Sequence, residues 1–298
     1  MEAEREFSRG VPLSEALRVS VVIPSLKPGA SLLRLLRSLE SQSFRYQQIV
    51  IVDQSNEQLA QDVLRRYQGH LVGFIEVVMS MPGLSRARNR GLRSLRDGWE
   101  LVLVPDDDVW LAGDASTFLT TAVKDGVVAG SGRLRPEQVG SSSRIGFPDT
   151  GREITQRTIW RNSIEACYFF TPDFFTATGY YDETLGLGSA TPWLSGEGTD
   201  LLLRGISRAQ KVAYVPGYEL IETTRPTLSA AENSARLRNY ARGTGRVFAR
   251  NYAVLPSMFL ICRSLIKVVA QAPRGPQAIS DNWNILIGRI EGLLGRVL

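Results

Sequence analysis

Three consecutive aspartates, Asp106 to Asp108, follow the apolar run Leu101 to Val104. Like charges side by side repel one another and raise each other's pKa unless a cation lies among them. Carboxylate oxygens are the ligands that Mg²⁺ and Mn²⁺ prefer, and these ions keep coordination positions open for phosphate oxygens. The trio therefore predicts a divalent cation site, and the alternative is a solvated acidic turn.

Two further stretches carry groups that could act beside the trio. Asp53 ends the apolar run Ile49 to Val52, and it could equally form a turn or cap a helix. The stretch Gly83 to Gly91 brings three arginines to the start of a predicted helix, where free backbone N–H groups and the helix dipole attract anions. A diphosphate or a nucleotide fits such a stretch.

A third stretch, Ser195 to Asp200, has the sequence SGEGTD and leads into a predicted helix over 197–209. Its glycines permit close approach of the backbone. One of its acids could act as a general base while the other caps the helix. A plain capped helix start is the alternative.

The segments between these stretches alternate between two patterns. Short apolar, β-branched runs predict strands at 19–23, 49–52, 72–78 and 101–104. Leucines at helical spacing predict helices at 32–39, 59–67 and 84–95. This order predicts an α/β fold with a mostly parallel sheet flanked by helices. Ligands of such sheets bind beyond the carboxyl ends of the strands, where Pro24, Asp53 and the trio all lie.

The middle of the chain is less regular. Residues 131–157 are rich in Gly, Ser, Pro and Arg, which predicts a long loop or a lid over the site. Strands are predicted again at 165–170 and 211–215.

The C-terminal part is basic. Residues 232–298 carry ten Lys and Arg against three Asp and Glu, so this part has a net charge of +7 and leaves −2 for the rest of a chain whose total is +5. Apolar residues at helical spacing in 254–270 and 283–297 predict two amphipathic helices on a membrane surface. The alternatives are packing on the rest of the chain and a dimer contact. We expect no nucleic-acid partner, because aromatic platforms are missing.

The composition excludes several other classes of protein. With 298 residues, 43% of them hydrophobic and 22% charged, the chain can bury one main core. Two cysteines are too few for a disulfide framework, and His70, the single histidine, excludes a multi-histidine metal site. Residues 1–18 lack the apolar core of a signal peptide, so we expect a cytoplasmic protein.

Five stretches, in order over about residues 19–224, together resemble the family-two inverting glycosyltransferases. They are VSVVIPSLKPGASLLRLLRSLESQSF, IVIVDQS, GLSRARNRGL, LVLVPDDDVWL and GYYDETLGLGSATPWLSGEGTDLLLRG. The resemblance implies a Rossmann-like GT-A fold with a C-terminal helical extension. The expected domains are a leader over 1–18, a GT-A catalytic domain over 19–228 and a basic amphipathic helical extension over 229–298.

The resemblance also implies roles on the donor side of the site. Pro24 and Ser25 would lie beside the nucleotide, and Asp53 would contact its base. Arg88 matches the arginine near the uridine or the phosphates of the donor, for which a UDP-sugar is favoured.

The trio matches the DXD motif of the family. Asp106 and Asp107 would lie near the ribose and the metal, Asp106 is also a candidate metal ligand, and Asp108 would be the principal ligand of Mg²⁺ or Mn²⁺. Glu197 matches the carboxylate that deprotonates the acceptor hydroxyl.

Two positions depart from the family pattern. Many relatives have a second acid where this chain has Gly198, which leaves the identity of the base open. Many also have a metal-binding histidine in the stretch that corresponds to 219–224, which contains none here. Glu222 or water is the expected substitute.

The implied reaction is metal-dependent, inverting transfer of a sugar from a nucleotide diphosphate to a glycan or lipid-linked acceptor hydroxyl. The basic tail resembles those of relatives in cell-envelope polysaccharide or glycolipid synthesis, and predicts a protein at the inner face of the membrane. A catalytically silent nucleotide-sugar-binding scaffold at the membrane is the alternative. A nucleotidyltransferase would need a glycine-rich basic loop after the first strand, and PSLKPGAS is a poor version of one.

Overall fold

The computed structural model describes residues 17–138, 146–223 and 228–298, which form two compact units. The first unit comprises the described parts of residues 1–81, 87–180 and 205–224. The second comprises those of 82–86, 181–204 and 225–298. Most of the predicted leader, residues 1–18, lies outside the described residues. The domain boundaries at residues 18/19 and 228/229 stay predictions.

The first unit contains a nine-stranded sheet. Its strands are β1 (Arg18–Ser25), β2 (Arg45–Asp53), β3 (Ile75–Met79), β4 (Leu101–Leu103), β5 (Val109–Leu111), β6 (Ala129–Pro136), β7 (Arg152–Glu153), β8 (Tyr168–Phe170) and β9 (Val212–Glu222). The order is β3-β2-β1-β4-β8-β6-β9-β5, with β7 paired to β9.

One half of the sheet is parallel and the other is mixed. Strands β3, β2, β1 and β4 are parallel neighbours, whereas β8 runs antiparallel to both β4 and β6. Strand β9 is parallel to β6 but antiparallel to β5 and β7. The predicted α/β, Rossmann-like class is confirmed, with the correction that the sheet is mixed.

Helices flank the sheet, as predicted. They are α1 (Ala30–Glu40), α2 (Leu59–Arg66), α3 (Leu84–Arg93), α4 (Ser116–Lys124), α5 (Ile159–Asn162) and α6 (Pro172–Thr178), and the next helix along the chain is α7 (Glu197–Ile206). Four of the five leucines of α1, at helical spacing, are fully buried: Leu32, Leu35, Leu36 and Leu39. The last two residues of α7 belong to the first unit, and its remainder to the second.

Three strand predictions need correction. The third strand begins at Ile75, because His70–Phe74 forms a 3₁₀ turn in which Val72 is exposed. Glu165–Cys167 is also a 3₁₀ turn, so that strand begins at Tyr168. The last strand continues to Glu222, since β6 and β5 pair with its second half.

The predicted loop over 131–157 is partly wrong. Residues 131–136 belong to β6, which is held between β8 and β9, and Arg152–Glu153 forms β7. Gly130 and Gly132 lie so close to β9 that an added Cβ would overlap its backbone, which explains the small residues that suggested a loop. Residues 139–145 lie outside the described part of the chain.

The second unit contains three long helices where two were predicted: α8 (Ala230–Asn251), α9 (Val254–Gln271) and α10 (Pro276–Leu294). A capping box between Ser229 and Glu232 begins α8. Glycines bring α8 and α10 into backbone contact, since a Cβ at Gly245 or Gly292 would overlap the facing carbonyl oxygens of Arg289 and Arg242. The predicted C-terminal helical extension is confirmed.

A buried carboxylate fastens α10 to α8. Glu291 is 0% exposed and accepts hydrogen bonds from Arg238 and Arg242. Burial alone would raise the pKa of Glu291, but these bonds outweigh it and lower the pKa from 4.5 to about 2. Two of the ten cations of the basic tail therefore serve an internal ion pair.

Candidate functional site

The aspartate trio lies at the carboxyl edge of the parallel half of the sheet. Strands β1 and β4 are parallel neighbours, with Val19 opposite Leu101. The residues that follow these strands therefore emerge at one edge. Ser25, the last residue of β1, is buried, and its hydroxyl donates a hydrogen bond to the Asp107 carboxylate. Two predicted donor-binding residues thus meet across the sheet.

Arg88 reaches the same trio from α3. Its side chain is 1% exposed. Nη2 donates to Asp106 Oδ1 at 2.8 Å, and Nη1 donates to Glu165 Oε2 at 3.2 Å. A guanidinium without water around it needs such partners, because a buried charge is costly unless it is paired. Arg88 therefore links α3 to the trio and to the 3₁₀ turn before β8.

Glu165 is a residue of the cluster that sequence reasoning missed. Its acidic side chain stands before the apolar run of Ala166 to Phe170, and this contrast was the only available signal. Nothing in the sequence pairs it with Arg88, which lies 77 residues earlier.

The charges of the trio affect one another. The pKa of Asp107 is raised from 3.8 to about 6, chiefly because the carboxyl is buried. The Ser25 hydrogen bond opposes this rise, and the charges of Asp106 and Asp108 add to it. A carboxylate in these surroundings gains from a nearby cation. Burial and the neighbouring carboxylates therefore both favour a cation beside Asp107.

The trio fits a cation that donor phosphates help to hold. One oxygen of Asp106 already accepts a hydrogen bond from Arg88, and one oxygen of Asp107 accepts a hydrogen bond from Ser25. Within 17–138, 146–223 and 228–298, no three His, Cys, Asp or Glu side chains are grouped to hold a metal by themselves. Mg²⁺ typically uses one or two carboxylates together with substrate phosphates, and this donor set suits that arrangement.

The pairing of β5 with β9 places the end of β9, where many relatives have a metal-binding histidine, beside the trio. Strand β5 pairs antiparallel with β9, which sets Val109 opposite Glu222. The Thr223 N–H donates to the Asp108 carbonyl oxygen at 2.9 Å. Glu222, the residue expected to substitute for the histidine, therefore lies on the strand next to Asp108.

Asp53 is engaged by the backbone. It is 0% exposed, and its two carboxylate oxygens accept the N–H groups of Ser55 at 2.7 Å and Ala60 at 2.8 Å. These bonds hold the turn from β2 into α2, so the turn-forming alternative describes its observed contacts. Pro24 is buried opposite Val52. Contact of Asp53 with a base stays a prediction.

Glu197 belongs to the second unit, where it is the first residue of α7 and 2% exposed. Gly186 packs against it with φ +98°. A Cβ at Gly186 would lie 2.8 Å from the Glu197 carboxyl carbon and 3.0 Å from Ser85 Oγ. Both the positive φ and the close approach of the Glu197 carboxylate therefore favour glycine at position 186.

The two acids of SGEGTD have different surroundings. Asp200 accepts hydrogen bonds from Arg204 Nε and Asn251 Nδ2, both at 2.9 Å. It therefore ties α7 to α8 within the second unit. The role of Glu197 as a general base stays a prediction.

Comparison with solved structures identifies the fold. S. aureus TarS 1–349 in complex with UDP-GlcNAc superposes with a TM-score of 0.56 at 14% identity, over 94% of this chain and 93% of that chain. Its complex with UDP gives 0.57 at 16%, over 94% and 92%. GalNAc-T7 with UDP, GalNAc and Mn²⁺ gives 0.59 at 19%, over 81% and 51%, so this chain spans about half of that one. The shared fold is GT-A, as predicted.

The sequence also matches a family model. The model of glycosyl transferase family 2 matches residues 20–176, more than half of the chain. This range extends from within β1 to beyond β8, and it contains Arg88 and the aspartate trio. No curated protein sequence matches the chain. The predicted family is confirmed: the chain belongs to glycosyl transferase family 2.

Proposed function

We propose that this protein is an inverting glycosyltransferase that takes a sugar from a UDP-sugar and joins it to an acceptor hydroxyl. The observation that carries the proposal is the meeting of Ser25, Arg88, Asp106 and Asp107 at one edge of the sheet. Structures of the same fold contain UDP-GlcNAc, in TarS, and UDP, in GalNAc-T7, which supports a uridine nucleotide as the donor.

Mg²⁺ or Mn²⁺ is the proposed cofactor, and the GalNAc-T7 structure contains Mn²⁺. Asp108 and Asp106 would hold the ion together with the donor phosphates. When bound, it would neutralise the charge that develops on the departing diphosphate. Glu222 is the proposed replacement for the histidine of relatives.

On the donor side, the protein's own residues orient the carboxylates. Ser25 fixes Asp107, and Arg88 holds Asp106 in one position, so neither carboxylate must reorganise when the donor arrives. We propose that Pro24 and Ser25 lie beside the nucleotide and that Asp53, through the turn it holds, shapes the position of the base.

On the acceptor side, we propose Glu197 as the general base. It accepts the proton of the acceptor hydroxyl while that oxygen bonds to the anomeric carbon and the bond from this carbon to the donor phosphate breaks. Attack from the side opposite the leaving group inverts the configuration. A base placed in this way typically accelerates such a step by about 10²- to 10⁴-fold.

Cell-envelope polysaccharide or glycolipid synthesis is the proposed context, with a glycan or lipid-linked acceptor. The C-terminal helices would hold the enzyme at the inner face of the membrane. Among the described residues, the stretch Val254–Arg274 is long and apolar enough to cross a membrane, by length and composition alone.

The test screens UDP-sugars with Mn²⁺, Mg²⁺ or a chelator, and follows both melting temperature and product. A bound donor at about 100 times its dissociation constant stabilises the fold by roughly 2.7 kcal/mol. We expect metal-dependent stabilisation and a product of inverted configuration. Asp108→Asn should remove both, while Asp97→Asn, at an exposed aspartate, should change neither.

The catalytically silent scaffold is the second candidate, and Gly198 in place of a second acid favours it. A scaffold would show the stabilisation without any product from any acceptor. Absence of both stabilisation and product would contradict the two candidates together.

A further inference from the structure

Helix α9 exposes apolar side chains to the outside of the second unit. Seven of them are more than half exposed: Val254, Leu255, Met258, Phe259, Leu265, Ile266 and Val269. They recur at helical spacing and form one continuous face along the helix. Exposed patches of this kind mark contact surfaces in proteins.

The buried side of α9 is narrow and largely polar. Its buried residues are Ser257, Leu260 and Ser264, and Ser264 accepts a hydrogen bond from Arg289 of α10 at 2.7 Å. A helix of a water-soluble protein normally buries its apolar side, so α9 has the reverse polarity. Its outer face is suited to an apolar medium.

All the charged side chains of this stretch are basic. Residues 254–274 contain Arg263, Lys267 and Arg274 and no Asp or Glu. Burial lowers the pKa of Lys267, and the charges of Arg263 and Arg289 lower it further, which shows that these cations repel one another. At helical spacing, Arg263 and Lys267 lie along one border of the apolar face. An anionic partner relieves this repulsion.

We propose that α9 lies in the plane of a bilayer that contains anionic phospholipids, with its apolar face among the acyl chains and Arg263 and Lys267 at the level of the headgroups. The proposal deepens the membrane contact proposed above and rests on it. Long basic side chains beside an inserted apolar face are typical of interfacial helices. Trp283 of α10, which is half exposed, has the side chain that such interfaces favour.

An in-plane position fits better than a spanning one. The stretch Val254–Arg274 has the length and composition to cross a membrane, and 11% of its most apolar window is buried. A spanning α9 would bring Arg263, which lies at its middle, to the centre of the bilayer, where a charge is costly. In the plane of the membrane, the same side chain reaches the headgroups.

A second copy of the chain fits this face less well. In a symmetric dimer the same patch meets itself. The cations of one α9 would then face those of the other, and no acid on either helix could pair with them. Anionic lipids provide the missing negative charge.

The two cysteines allow a direct measurement. Cys262 is exposed on α9, within the apolar face, whereas Cys167 is 0% exposed in the first unit. An environment-sensitive thiol fluorophore should therefore label Cys262 selectively. With vesicles of equal parts phosphatidylcholine and phosphatidylglycerol its emission should rise, and pure phosphatidylcholine should give a much smaller rise. Nitroxides at shallow acyl positions should quench it more than deep ones.

Two pairs of variants separate the apolar and the charge contributions in vesicle sedimentation. Leu255→Ser with Phe259→Ser should weaken binding to the mixed vesicles at least about tenfold. The matched control, Val72→Ser with Phe74→Ser, changes two exposed apolar residues of the first unit and should leave binding unchanged.

Arg263→Gln with Lys267→Gln should also weaken this binding about tenfold or more, since each cation near an anionic surface contributes to binding. Its control, Arg37→Gln with Arg66→Gln, removes two exposed cations of the first unit and should have no effect.

Three results would overturn the proposal. One is equal binding of wild type and the Leu255, Phe259 variant. A second is a concentration-dependent dimer in analytical ultracentrifugation that this variant abolishes, which would make the face an interface between copies. The third is strongest quenching by the deepest nitroxides, which indicates a spanning helix. UDP binding, measured by calorimetry without vesicles, tests the enzyme proposal separately.

Discussion

Arg88 donates from Nη2 to Asp106 Oδ1 at 2.8 Å, and its side chain is 1% exposed. The second amino group reaches Glu165 at 3.2 Å, so one guanidinium binds two acids that lie far apart in the sequence. The buried guanidinium of Arg88 orients the carboxylates of Asp106 and Glu165. It therefore holds Asp106 in place before any donor is bound.

Replacing Arg88 should harm both the fold and the reaction. Arg88→Lys keeps the charge but loses the planar fork, so one of the two acids is left with a poorer partner. We expect a loss of stability of about 2 to 4 kcal/mol, since breaking a buried pair is costly, and a fall in kcat/KM of at least about tenfold. Denaturant unfolding and product assays measure the two effects.

Arg90 provides the control for Arg88. It lies on the same helix but is exposed, so Arg90→Lys should leave stability and kcat/KM close to those of the wild type. Equal behaviour of the two variants would show that the bridge from Arg88 to Asp106 has no role in the reaction.

The two acids at the start of α7 should differ in their effects. Glu197→Gln should lower kcat by about 10²- to 10⁴-fold with little change in donor affinity or stability, because it removes a proton acceptor and keeps the shape. Asp200→Asn weakens the bonds to Arg204 and Asn251, so its main effect should be on the free energy of unfolding. Steady-state kinetics and calorimetric donor binding distinguish them, and near-normal turnover of Glu197→Gln would remove that residue from the mechanism.

Gly186 should be a positioning residue for Glu197. Gly186→Ala adds a Cβ 2.8 Å from the Glu197 carboxyl carbon and also strains a backbone with φ +98°. Gly126→Ala isolates the strain, because Gly126 has φ +81° and no atom near the added Cβ. The strain alone should cost about 1 kcal/mol in both variants.

Only Gly186→Ala should also lower kcat, and it should shift the pH profile of kcat because the carboxylate is displaced. The measurement is kcat against pH for both variants and the wild type. Identical profiles for Gly186→Ala and Gly126→Ala would restrict Gly186 to a structural role.

The ion pair at Glu291 predicts how stability depends on pH. The pKa of Glu291 is about 2 in the folded protein, below its ordinary value of 4.5. A lowered pKa stabilises the fold above the ordinary value, and this contribution disappears as the pH falls from about 4.5 towards 2. The contribution is on the order of 3 kcal/mol.

Denaturant unfolding between pH 6 and pH 2.5 measures this loss. Glu291→Gln should be less stable at pH 6 and should lose less of its stability on acidification than the wild type. Glu57→Gln, at an exposed acid, should follow the wild-type curve. A wild-type stability that does not change over this range would contradict the role of the Glu291 pair.

Much of the first unit could be predicted from the sequence, because its signals are local. The runs at β1, β2 and β4 are buried on both faces, and such strands are continuously apolar whatever their neighbours are. The leucines of α1 show their buried face through spacing alone. The position of the trio after a strand is equally local, and in the structure the Ser25 hydroxyl at the end of β1 donates to Asp107.

Contacts between distant segments were decided by the tertiary structure. Arg88 meets Glu165 because α3 and the turn before β8 reach the same sheet edge, and no sequence spacing encodes that meeting. Likewise, both oxygens of Asp53 bind backbone N–H groups of the following turn, although its position at a strand end was equally compatible with ligand contact.

The polarity of α9 shows the same division. By itself the sequence determined an apolar, basic helix, since spacing and charge are properties of the segment. Which face is covered depends on what packs against it, and here Arg289 of α10 binds Ser264 on the covered side. Hydrophobic spacing defines a helix and its stripe, whereas burial is a property of the neighbours, and only the folded chain decides which neighbours a stripe has.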